Sequence, residues 1–162
     1  SNYYQSRFGI QDTQHSIKFK HIIKSYIEGL QFYCLYYYQG LPSWTWFYPF
    51  HYTPLLTDVY DYLQANNDIK IDIKQGEPFD PILALMFMLP QPNFGLLPKP
   101  VAEALENPNS PLRSPYDYYP REFKLDQFET LGYNKRAMID FLKQDEVVRV
   151  YESIQKEKYT RA

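Results

Sequence analysis

The stretch "LPSWTWFYPFHY", residues 41–52, places Trp44, Trp46, Phe47, Tyr48, Phe50, His51 and Tyr52 within a dozen positions. Side chains of this kind do one piece of chemistry well. They offer π-faces on which a flat heterocycle can stack, each contact contributing roughly 1–3 kcal/mol with little regard to the partner's identity. Pro42 and Pro49 inside the stretch, and Pro54 just beyond it, keep it out of a helix. The rings therefore form either a rigid plug of core or a surface displayed to something flat.

Other chemistries lack their residues. Two-metal hydrolysis needs several converging carboxylates. Asp58 and Asp61 stand at i and i+3 of a helical pattern, while Asp68, Asp72, Asp126, Asp140 and Asp145 are scattered, and surface solvation is the expected role of each. His15, His21 and His51 have no ligand spacing, and the single Cys34 cannot complete a zinc set. No glycine loop of a phosphate-cradling kind is present. Cys34 falls on an apolar helical face, where packing is its expected role. The chain is expected to hold no catalytic residue and no metal site of its own.

The elements that must carry the aromatic stretch follow from periodicity. Residues 17–39 read as one helix about 35 Å long, with Ile22, Ile23, Tyr26, Ile27, Leu30, Tyr33, Cys34 and Tyr37 on one face. Gly40 and Pro42 stop it. Its first half carries Lys18, Lys20, His21 and Lys24, expected to be a solvated face. A second helix spans 55–65. "IKIDIK", 69–74, alternates as a short half-buried strand. Residues 80–89 form a third helix, capped by Asp80, opened by Pro81 and ended by Pro90, and apolar all round, so expected to be buried. A short helix through Val101–Glu106 stops at "NPNSP", and an amphipathic tail helix spans 145–158 through Val147, Val150, Tyr151 and Ile154. The fold class is mainly α: one compact helical domain with a short strand.

Composition agrees with a folded chain. Of 162 residues 44% are hydrophobic, 19% aromatic and 22% charged, which excludes a disordered polyelectrolyte. One cysteine excludes an internal disulfide and suits a reducing compartment. The net charge of −2 gives no support to a surface that tracks phosphates throughout. No apolar run is long enough to span a membrane, and no membrane partner is expected. The start, Ser1-Asn2, reads as the cut end of an excised piece.

The run "YIEGLQFYCLYYYQGLPSWTWFYPFHYTP", Tyr26 to Pro54, resembles the second conserved region of the nuclease core of the Xrn family of 5′-to-3′ exoribonucleases. "YYQSRFGI" precedes it, and "GEPFDPILALMFMLP", "LLPKP", "NPNSP" and "YYPREFKLD" follow in the family's order, as far as Asp126. Beyond Asp126 the match is weak. The family continues with an Asn-Gly-Lys turn and a tryptophan, where this chain has Gln127 to Gly132 and Tyr133. The resemblance implies a piece of a larger α/β nuclease core, packed on a catalytic first region that holds the magnesium-binding carboxylates and is lacking here. It implies a parent hydrolase that degrades single-stranded RNA bearing a 5′-monophosphate, acting in RNA and mRNA decay, cytoplasmic with a nuclear site possible. By position, Trp44 and Trp46 match the family's paired tryptophans, and His51 and Tyr52 its His-Tyr exit. These four are the expected substrate-binding residues, with Trp46 foremost.

Two functions suit these residues. One is an inactive fragment supplying the aromatic wall of an exoribonuclease channel. The other is a non-catalytic helical scaffold for protein interaction. Most rings of the stretch are expected to pack against the long helix and the Met86 helix, and His51 to fix the loop.

Overall fold

The computed structural model describes residues 2–66, 69, 72–114, 117–128 and 135–160, the last six without their side chains. The fold is mainly helical: α1 (Asn2–Phe8), α2 (Ile17–Gln39), α3 (Leu56–Ala65), α4 (Pro81–Met88), α5 (Lys99–Glu106) and α6 (Gln144–Thr160), with a 3-10 helix at Gln91–Leu96. Among the described residues the only isolated strand pairing is the antiparallel bridge between Leu125 and Ala137. Of the expected strand, Lys70 and Ile71 lie outside the described residues, and Asp72–Lys74 is irregular. Among the described residues no helix is long and apolar enough to cross a membrane. The chain forms two compact units, Ser1–Pro78 and Phe79–Ala162.

In the first unit, α2 starts where the sequence says it should. Ser16 accepts a hydrogen bond from the Phe19 amide at 3.1 Å, and Gly40, at φ 91°, donates its N–H to the Tyr36 carbonyl. Ile23 and Ile27 pack on Val59 of α3, with Phe19, Tyr26, Tyr62 and Ile69 around them. α1 was not visible in the sequence. It is clipped to the start of α3: the Tyr4 hydroxyl donates to Asp58 and accepts from the Leu55 amide at 3.1 Å, and Tyr3 donates to the Thr53 carbonyl at 2.6 Å. Burial and the Asp58 contact both push the Tyr4 hydroxyl pKa upward, so it stays a neutral phenol.

The second half of α2 departs from expectation. Leu30, Tyr33 and Tyr37 are exposed, Tyr37 by 78%, and Cys34 is exposed rather than packed. The buried residues of this helix all lie at or before Ile27. Its apolar face continues, but nothing in the unit covers it.

The second unit is built on Met86, Phe94, Leu105, Leu112 and Val147, all essentially inaccessible. Asp80 caps α4 by accepting from the Ile82 amide at 2.9 Å, and α6 places Val147 and Tyr151 in the core as its periodicity requires. α4 is not buried all round, since Met88 is 72% exposed. A unit of this size has too little chain to enclose a helix on every side. Pro90 ends α4 and also denies the Met86 carbonyl its i+4 amide. The buried Tyr119 hydroxyl donates to that carbonyl at 2.6 Å instead.

Two outcomes are expected. Tyr119→Phe leaves the Met86 carbonyl unsatisfied and should destabilise the second unit by about 1–3 kcal/mol in urea unfolding. Asp80 gives an acid dependence. The Tyr151 hydroxyl, at 2.7 Å, and then the Ile82 amide hold its carboxyl below the ordinary range. That stabilisation is present above the unfolded value of about 3.9 and is lost as pH falls through the lower folded value. Acid unfolding of Asp80→Asn should therefore show a shallower loss of stability below about pH 4 than the parent.

Candidate functional site

The aromatic stretch is fixed to α2 by one serine. Pro42 leads out of the helix, and the buried Ser43 hydroxyl accepts from the Thr45 amide at 3.3 Å and the Trp46 amide at 3.1 Å. The Trp44 amide donates to the Gln75 carbonyl at 2.8 Å, which ties the turn to the segment after α3. These bonds settle the turn's backbone, and the Trp46 indole lies back against α2. It stacks on Phe32 with ring centroids 5.0 Å apart and planes inclined by 23°. Such a pair contributes about 0.5–1.5 kcal/mol beyond its buried area. The indole edge sits over Gly29, where a Cβ would come within 3.1 Å of Trp46 Cη2. The indole N–H faces Glu28 Oε2 at 3.5 Å, and the other oxygen of Glu28 is 3.9 Å from Lys24 Nζ.

Trp46 lines an open groove of about 520 Å³ with Tyr26, Leu30, Tyr33, Phe47 and Tyr48. Its walls are almost wholly apolar rings and a helix face. The Tyr48 hydroxyl donates to the Tyr52 carbonyl at 2.8 Å, and burial pushes its pKa upward, so no charge develops there at neutral pH. By its chemistry, such a lining suits a flat, uncharged group.

The four residues singled out by sequence fall in different places. Trp46 is half-buried and at the groove. Trp44 is 48% exposed, and the described groove lining does not include it. His51 is half-buried. Tyr52 is buried, its ring meeting the edge of Phe8 at 6.1 Å with the Arg7 guanidinium 5.7 Å from its centroid. The long helix takes rings as expected: besides Phe32 on Trp46, His21 meets Phe50 and Tyr26 meets Tyr48 edge-on. Sequence reasoning missed Glu28, Gly29 and Phe32 as parts of the site. A lone glycine inside a strong helical pattern was the available signal, since it costs helix stability and usually marks a close approach.

Asp61, Asp72, Asp140 and Asp145 are exposed, as expected of solvated surface groups, but two carboxylates differ. Asp58 accepts from buried Tyr4. Asp126 is buried, accepting from the Phe128 amide at 2.9 Å with Arg136 at 3.7 Å. Asp68 lies outside the described residues. Among the described residues no three His, Cys, Asp or Glu side chains come together as a metal site. These residues do not fit the magnesium of the resemblance.

Comparison with known proteins agrees with the architecture. A family model described as the Xrn1 helical domain matches residues 1–155. The chain belongs to the Xrn helical-domain family. The match passes Asp126, where the sequence motifs fade, and takes in most of α6. The chain is 35% identical over 141 residues to the 5′-3′ exoribonuclease 2 of Eremothecium gossypii, covering 86% of the chain and 14% of the relative. It is 34% identical over 147 residues to that of Saccharomyces cerevisiae, covering 90% and 14%. It is 32% identical over 152 residues to that of Debaryomyces hansenii, covering 93% and 15%. This Xrn helical domain thus spans 14–15% of the length of those curated relatives.

Ser43→Ala removes the acceptor of two amides in the turn below Trp46. It should destabilise the first unit by about 1–3 kcal/mol, read as an earlier midpoint of tryptophan fluorescence in urea.

Proposed function

We propose that this Xrn helical domain belongs to a 5′-to-3′ exoribonuclease acting on single-stranded RNA with a 5′-monophosphate, and that it supplies the aromatic wall of the substrate channel. The observation that carries the reading is the groove in which Trp46 is locked to α2 with part of its surface still exposed. Stacking grips any base, because every base has a π-face, and an enzyme that removes nucleotides in turn needs grip without base preference. The names of the similar proteins support the activity. Magnesium and its carboxylates belong to a catalytic region outside this chain. The uncovered end of α2 beyond the groove, with Tyr37 and Tyr38, suits packing against that region.

The same uncovered rings favour a second reading, a scaffold for protein interaction without nuclease work. One experiment separates the two. Trp46→Ala in the full-length protein should slow single-turnover degradation of 5′-monophosphorylated RNA about five- to hundredfold, the equivalent of one lost stacking contact. The 162-residue chain alone should release no nucleotides with magnesium. A parental rate for Trp46→Ala takes Trp46 out of the substrate path, and a full-length parent that degrades no such RNA leaves the scaffold reading.

A further inference from the structure

One turn of α2 holds the Trp46 indole on three sides. Glu28, Gly29 and Phe32 stand at i, i+1 and i+4 of the helix, so a single turn presents all three. Phe32 covers one face, and the missing side chain of Gly29 admits the edge. These two contacts act through shape. A half-turn of the indole about its Cβ–Cγ bond would carry the six-membered ring away from Gly29, so shape already favours one orientation. The N–H adds a polar contact to that fit, because tryptophan has one donor and no acceptor. Glu28 Oε2 faces that N–H at 3.5 Å, while Lys24 lies on the side of Oε1, so the two carboxylate oxygens point to different neighbours.

We propose that Glu28 is a positioning residue for Trp46, holding through the indole N–H the orientation that Phe32 and Gly29 favour by shape. Trp46 then receives one flat group on its free side and cannot be sandwiched between two. The purpose of this orientation rests on the substrate-wall reading above; the positioning itself is testable without RNA.

In Trp44→Phe, Trp46 is the sole indole of the chain, so its fluorescence reports on the cradle directly. In that background Glu28→Leu should red-shift the emission and raise acrylamide quenching. Glu28→Gln keeps an amide oxygen that can accept and should hold the parental values. Gly29→Ala should give the red shift with Glu28 untouched, since its Cβ would crowd Cη2. Parental emission and quenching in Glu28→Leu overturn the proposal, as does a Glu28→Gln shift equal to that of leucine. Should the leucine variant lose its helical dichroism, Glu28→Ala, the better helix former, gives the same decision. If the fluorescence result fails while Trp46→Ala still slows degradation, the cradle is wrong and the functional reading stands. An intact cradle with an inert Trp46→Ala removes the functional reading alone.

Discussion

The structure depends on side chains meeting main-chain groups that proline and helix ends leave without a partner. A buried carbonyl or amide without a hydrogen bond costs about as much as any single contact contributes, so each needs an answer. With 13 prolines in 162 residues the demand is frequent, and 17 tyrosines supply much of the response. The Tyr3 hydroxyl takes the Thr53 carbonyl ahead of Pro54, and Tyr48 takes that of Tyr52. Tyr4 meets the Leu55 amide at the head of α3, where Leu55 has no side-chain oxygen to cap it. Tyr119 stands in for the amide that Pro90 lacks.

This use of tyrosine reconciles a 19% aromatic content with a mean hydropathy of −0.53. Each ring contributes apolar area, while its hydroxyl settles a backbone group at the rim of the core. Serine does the same at the site. Ser43 collects two amides from a turn that belongs to no regular element, and Trp46 is placed because that turn has one backbone path. The groove is therefore formed from a hydrogen-bonded loop and a helix, an arrangement that suits the stacking role proposed for it.

Punctuation was legible in the sequence. Gly40, Asp80, Pro81 and Pro90 mark helix ends that the structure places within a residue of expectation, because capping is local chemistry. α1 was not legible, since seven residues give too few turns for a period, and its position comes from hydrogen bonds to residues some fifty positions away. Periodicity grouped Leu30, Tyr33, Cys34 and Tyr37 on one face but could not say that the face stays uncovered. At the site, the cluster of rings was plain from composition. Which ring is locked to α2, which is buried and which is exposed depends on Gly29, Ser43 and Arg7, whose effects are steric and tertiary. Asp126 looked like any surface carboxylate because its neighbours in space, Arg136 among them, are not its neighbours in sequence.

The hydrogen bond from Tyr151 to Asp80 joins residues 71 positions apart and closes the second unit on itself. A chain leaving the ribosome meets this constraint in time. The first unit has all its helices once Pro78 has emerged, whereas α4 waits with an open flank until α6 has been synthesised. During that interval the apolar residues of "ILALMFML" lack their last neighbour, the kind of transient exposure that favours association.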